Sequence, residues 1–139
     1  RGIVAMAGSF GYELDLNLIS DEEKEEVKNQ IENYKKYWHL LHNGTYYRLT
    51  NCEKDHEKVA WQFVSEDKSE TLVQIVKYDT HCNAPIQYIK LRGLKADYEY
   101  ELDGNLYYGS TLMNAGLPVK PINGEYKAYQ LHLICKRVK

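Results

Sequence analysis

The residues that can bind a metal, move a proton or attack carbon are few here, and they fall into small groupings. Cys52 and His56 are four apart, and His132 and Cys135 are three apart. On a helix such spacing brings two ligands to one face, as zinc requires. Neither pair reaches the three or four convergent ligands of a zinc site. His132 and Cys135 also lie in a stretch patterned as a strand, where they point to opposite faces. The expectation is therefore no metal and no cofactor. Glu13 and Asp15 alternate across Leu14 and share a face of an extended chain. Paired carboxylates hydrolyse glycosides when held about 5–9 Å apart across a sugar. Surface carboxylates are the rule, so this pair is expected in a solvated or salt-bridged loop.

Other groupings fail on their chemistry. Gly8-Ser9-Phe10-Gly11 lacks the residue that a nucleophile elbow places between its first glycine and its serine. It also lacks the spaced glycines and the Lys-Ser/Thr end of a phosphate loop. Asn43-Gly44-Thr45 has the form of a glycosylation sequon, and is read as a helix stop. Trp61, Tyr46, Tyr47, Tyr107 and Tyr108 would make a platform for sugar rings if they shared a surface. Filling a core is the competing use of such side chains. Spacing alone thus assigns no catalytic residue and no substrate-binding residue.

The elements that must position these groups follow from periodicity. Ile3-Val4-Ala5-Met6-Ala7 is a short apolar run, the pattern of a strand covered on both faces. Ser20-Asp21-Glu22-Glu23 is a capping box, with carboxylates at the positive end of the helix dipole. Val27, Ile31, Tyr34, Trp38 and Leu41 recur at spacings of four and three, giving a helix over about 21–42 with those residues on its buried face. Asn43-Gly44 supplies a left-handed stop. From there the period becomes two, with strands expected over 45–50, 59–64, 71–78, 87–91, 98–102, 106–108 and 126–136. Asp103-Gly104-Asn105 is a hairpin turn, and a Gly/Pro-rich loop is read from Gly109 to Gly124. The fold class is mainly β: an antiparallel β-sandwich preceded by a strand, a loop and a helix.

Composition narrows the function. The chain has 139 residues, enough for one core. Its 18 basic residues against 20 acidic ones argue against nucleic acid as a partner. No apolar run approaches the ~20 residues of a membrane span. Three cysteines with no close pair suit a reducing cytoplasm. Thirteen tyrosines against two phenylalanines lean toward half-buried strand positions. A first residue of Arg1 rather than Met suggests a piece of a longer protein.

Two stretches carry a resemblance. Arg1-Gly2-Ile3-Val4-Ala5-Met6-Ala7-Gly8-Ser9-Phe10-Gly11-Tyr12-Glu13-Leu14-Asp15-Leu16 resembles the last barrel strand and following loop of glycoside hydrolase family 36 α-galactosidases. Gly109-Ser110-Thr111-Leu112-Met113-Asn114-Ala115-Gly116-Leu117-Pro118 resembles the C-terminal domain of that family, and Trp61-Gln62-Phe63-Val64-Ser65-Glu66-Asp67-Lys68-Ser69 fits between them. Ile3 stands where His is more often expected.

The resemblance implies that residues 1–43 end a (β/α)8 catalytic barrel, with its last strand and helix. Residues 44–139 would be a C-terminal antiparallel sandwich packed beside it, with Trp38 and Leu41 meeting the sandwich. It implies a parent that hydrolyses melibiose- and raffinose-type α-galactosides with retention, through two aspartates and a covalent galactosyl intermediate. Both aspartates belong to barrel segments that no position here matches, so the fragment itself is expected to be inactive. The Gly8–Gly11 turn would sit at the barrel mouth. The expected partners are the catalytic barrel of the same chain and the parent's α-galactoside, with homo-oligomer contacts through apolar surface around Ile3 to Met6. The rival reading is a free-standing carbohydrate-binding sandwich that uses exposed Tyr and Trp.

Overall fold

The computed structural model describes residues 1–51, 53–79, 85–119 and 124–138. Its centre is a six-stranded antiparallel sheet in the order β1-β2-β3-β8-β5-β6. These strands are β1 (Thr45–Arg48), β2 (Lys58–Val64), β3 (Glu70–Lys77), β5 (Tyr98–Leu102), β6 (Asn105–Tyr108) and β8 (Lys127–Val138). A second, two-stranded sheet joins β4 (Gln87–Ile89) to β7 (Leu117–Val119). Among the described residues there are three helices: α1 (Gly2–Ala5), α2 (Asp21–Asn43) and α3 (Gly109–Asn114).

The central strands β2 and β3 carry apolar residues on both faces because both faces are covered. Trp61 and Phe63 on β2, with Leu72 on β3, pack against Tyr37, Leu40 and Leu41 of α2 and against Met6. The alternate residues Ala60, Val64, Val73 and Ile75 form the other core with Ile89, Leu91, Leu94, Leu112 and Leu117 from β4, α3, β7 and their connections. The register Phe63↔Leu72 and Leu72↔His132 keeps each face continuous across three strands. A strand pair that buries both faces reads as a near-unbroken apolar run rather than as alternation.

Local chemistry explains the boundaries. At the start of α2, Glu23 N–H donates to Ser20 Oγ at 3.2 Å, and Ser20 N–H donates to Glu23 Oε2 at 2.8 Å. This is the capping box that the sequence predicts. The β5–β6 hairpin closes on Leu102↔Asn105 around Asp103 (φ 49°) and Gly104 (φ 81°). Two successive positive φ values mark the turn whose twist matches the strands. On the sheet face beneath β4 and β7, fully buried Gln62 acts as a substitute backbone: its Nε2 donates to Thr71 Oγ1 and Arg92 O, and its Oε1 accepts from Arg92 N–H.

Several expectations are corrected. Ile3–Ala7 is not a strand: Gly2–Ala5 is helical, with Ala5 N–H donating to Arg1 O and Met6 N–H to Gly2 O. Local bonds satisfy its backbone, and the short helix packs against β8 rather than pairing with it. Within that run Val4 is exposed, but Met6 is buried. The helix stop is not left-handed, since Gly44 has φ −74° and ψ 153°. Glycine is required there by contact, because a Cβ would stand 2.4 Å from Leu40 O. The loop from Gly109 contains α3 and β7; Gly109 admits the close approach of Lys95 O, 2.0 Å from where a Cβ would be. Residues 120–123 of that stretch lie outside the described residues. The buried face of α2 is Tyr37, Leu40 and Leu41, whereas Trp38 is 48% exposed and stacks on His42 at 4.7 Å. Leu41 therefore meets the sheet and Trp38 does not.

Candidate functional site

The groups singled out in the sequence do not converge. His132 lies on the α2 side of β8, where its Nε2 is 2.9 Å from Glu70 Oε2. Cys135 packs toward the opposite core as a free thiol. Cys52, and with it the Cys52–His56 pair, lies outside the described residues. Among the described residues no group of three His, Cys, Asp or Glu is placed to hold a metal ion. Glu13 and Asp15 are both exposed. Asp15 Oδ1 accepts from the backbone and side-chain amides of Asn17, each at 2.9 Å, which commits it to a turn.

The aromatic platform is likewise dispersed. Trp61 is buried under α2 and donates its Nε1–H to Gln74 Oε1 at 2.6 Å. Tyr46 sits on the Phe63 ring at 5.5 Å, while Tyr47 packs into the opposite core. Tyr107 and Tyr108 are on β6, at the far edge of the sheet from β1.

The electrostatics point the same way. Backbone and side-chain hydrogen bonds from Ser69 and Ser65 hold the Asp67 carboxyl at about 2. Burial pushes the Tyr100 and Tyr129 hydroxyls up to about 12. Tyr100 and Tyr129 pack in the core, whereas Asp67, in the β2–β3 turn, lines an open pocket with Lys95, whose ammonium is held above its usual value by Tyr98 first and by Asp67 last. Both groups are held in their charged forms, so among the described residues no acid and base shifted toward neutrality face each other across a cleft. Pairs of that kind are what acid–base chemistry requires.

Sequence reasoning missed two features. The first is a clamp on the α2 face of the sheet. Glu70 Oε1 is 2.6 Å from His39 Nε2 on α2, its Oε2 reaches His132, and the Tyr37 ring meets the His132 ring edge-on at 5.0 Å. Residues 31 and 62 positions apart give no local signal of such a contact. The second is an open apolar groove of about 620 Å³ between the 10–16 segment and α2. Phe10, Tyr12, Leu14 and Leu16 line one wall, with Val27, Ile31, Tyr34 and Trp38 opposite. The period-two spacing of the first wall was visible in the sequence.

Comparisons with known proteins agree on one family. The model of the glycosyl hydrolase family 36 C-terminal domain matches residues 58–133, and the melibiase model matches residues 1–44. The chain is 48% identical over 132 residues to the bifunctional α-galactosidase/sucrose kinase AgaSK of Mediterraneibacter gnavus, covering 94% of this chain and 14% of that protein. It is 43% identical over 118 residues to the α-galactosidase AgaA of Geobacillus stearothermophilus, covering 84% of this chain and 16% of that protein. The solved galactosidase domain of AgaSK superposes with a TM-score of 0.89 at 44% identity, covering 97% of this chain and 19% of that one. The α-galactosidase from Lactobacillus brevis gives 0.91 at 29% identity, covering 99% and 20%. The chain thus spans less than a fifth of the length of these curated relatives. With the C-terminal-domain model matched over most of the sheet and its coverings, the chain belongs to glycosyl hydrolase family 36.

Proposed function

We propose that the chain is the C-terminal part of a retaining α-galactosidase, with residues 1–43 contributed to the catalytic barrel and 44–139 forming the accessory domain beside it. Its role is structural: it covers a flank of the barrel and carries no catalytic carboxylate. The observation that carries this reading is the match to the family's C-terminal domain over residues 58–133. The parent's substrates are terminal α-galactosides of the melibiose and raffinose type. In support, a variant of the Geobacillus stearothermophilus relative has been solved in complex with raffinose. We place the parent in the cytoplasm, in keeping with the free thiol of Cys135. No helix of the described residues is long and apolar enough to cross a membrane. Contacts between copies would use exposed apolar residues such as Val4 and Leu18.

The test is turnover of an aryl α-galactoside by the purified chain. No hydrolysis above the buffer rate is expected, and measurable turnover that follows the protein through purification overturns the accessory role. The rival sugar-binding module gains no support from the aromatic residues, which lie on different faces and edges of the sheet.

A further inference from the structure

A pocket opens on the sheet face away from α2, where the β5–β6 hairpin, β7 and β8 meet. It measures about 580 Å³, an ordinary size for a small-molecule site. Leu102, Tyr107, Leu117, Val119 and Leu131 give it walls that are largely apolar. Water finds few hydrogen bonds in such a space. Two polar features nevertheless stand there without partners. Tyr129 lines the pocket, and its hydroxyl is buried with no hydrogen bond. An orphaned hydroxyl is costly, and native proteins pair such groups with protein or with a bound molecule.

The second feature is the main chain of Gln130. Ser65 N–H donates to Glu70 O, and Cys135 N–H donates to Ser69 O. This alternation turns the main-chain groups of the odd-numbered residues of β8, from Lys127 to Leu133, toward β3, and those of the even-numbered residues away from it. On that far side β5 pairs only with the stretch from Ile134 to Val138. Among the described residues no strand therefore meets the N–H and C=O of Gln130, which also lines the pocket. Charge narrows the occupant. The exposed carboxyl of Asp103 borders the pocket, and among the described residues no Lys or Arg does, so an anion is disfavoured. A free sugar fits poorly too, because its many hydroxyls would outnumber the polar groups of the walls.

We propose that this pocket binds a compact, neutral aromatic or alicyclic alcohol, with its ring against the apolar walls and its hydroxyl paired with Tyr129. The proposal is independent of the reading of the parent as an α-galactosidase. The probes are β-naphthol, naphthalene and β-naphthoate, titrated into the 139-residue chain and followed by its amide chemical shifts. β-Naphthol should saturate with a Kd on the order of 0.1 mM, shifting the amides of Leu117, Val119, Gln130 and Leu131. Naphthalene lacks the hydroxyl and should bind about tenfold more weakly, the worth of one hydrogen bond to a group otherwise unpaired. β-Naphthoate should be weaker than β-naphthol. In Tyr129→Phe the tenfold gap should close, while the thermal midpoint holds or rises because the deleted hydroxyl had no partner. A lower midpoint would show that the hydroxyl is already paired within the chain and would overturn the proposal. So would no saturation by about 1 mM β-naphthol, shifts confined to the groove between α2 and the 10–16 segment, a gap that persists in Tyr129→Phe, or β-naphthoate binding as tightly as β-naphthol.

Discussion

Gln62 is wholly buried between the six-stranded sheet and the connection leading from β4, and Gln62→Leu measures what its hydrogen bonds contribute. Leucine nearly matches the volume, so no large cavity opens. It removes the bonds to Thr71 Oγ1 (2.9 Å), Arg92 O (3.0 Å) and from Arg92 N–H (2.9 Å). Thr71 keeps its own donation to Phe63 O. The N–H and C=O of Arg92 are left without the side chain that served them. Arg92 is an exposed residue and its bonds to Gln62 are part-buried, so each group left unsatisfied costs toward the low end of about 1–3 kcal/mol, and the apolar surface gained offsets roughly 1 kcal/mol. The expected net loss is about 1–2 kcal/mol, a sizeable share of the ~5–15 kcal/mol that holds an ordinary domain. Equilibrium urea unfolding, followed by the fluorescence of buried Trp61, gives the value, with the slope unchanged from the parent chain. A loss under about 0.5 kcal/mol would mean that water or a shifted backbone satisfies Arg92 equally well, and would refute the account of Gln62 as a substitute backbone.

Other substitutions probe the remaining layers. Leu40→Ala removes a fully buried side chain from between α2 and the sheet; a loss of about 3 kcal/mol is expected by urea unfolding, and under ~1 kcal/mol would show that α2 is not a true layer. Ser20→Ala deletes the cap on Glu23 N–H; about 1 kcal/mol should be lost, and no change by thermal melting would show that the box is idle. Asp67→Asn tests the hydrogen bonds that hold this carboxyl at about 2, below its usual 3.8. A depressed folded value stabilises above the unfolded value and stops doing so as pH falls through the folded one. The stability difference between the parent and Asp67→Asn should therefore be constant above about pH 5 and shrink between roughly pH 4 and 2; a difference flat down to pH 2 contradicts the bonding.

Much of this fold is legible from pattern. The Ser20-Glu23 box places α2, and the Asp103-Gly104 turn places the β5–β6 hairpin, because each is a short-range rule with one physical solution. The apolar residues at both parities of 59–64 already imply a sheet covered on two faces. What pattern misjudges is the side of α2 that meets the sheet. The helix carries two apolar stripes, Val27/Ile31/Tyr34/Trp38 and Tyr37/Leu40/Leu41, and period alone does not say which partner each one finds. Ile3–Ala7 fails for a related reason: an apolar run too short to choose its period folds as its neighbours allow. The His39–Glu70–His132 clamp and the grip of Gln62 on Arg92 join distant positions, where no local rule operates. The scattering of Trp61 and the tyrosines was equally out of reach, since face and edge are assigned only when the strand order is known.

One layer of the region matched by the C-terminal-domain model is made by residues that precede it. Trp61, Phe63 and Leu72 are kept from water by α2, and α2 falls within residues 1–44, which the melibiase model matches. The boundary drawn by sequence families and the seam along which the molecule can be divided are therefore different lines. A swap between relatives cut at residue 44 would set a foreign helix against Trp61, Phe63 and Leu72 and put another residue set opposite Glu70 in place of His39. Modular exchange in this family should carry α2 with the sheet that it covers, so that the two surfaces keep the side chains that fit each other.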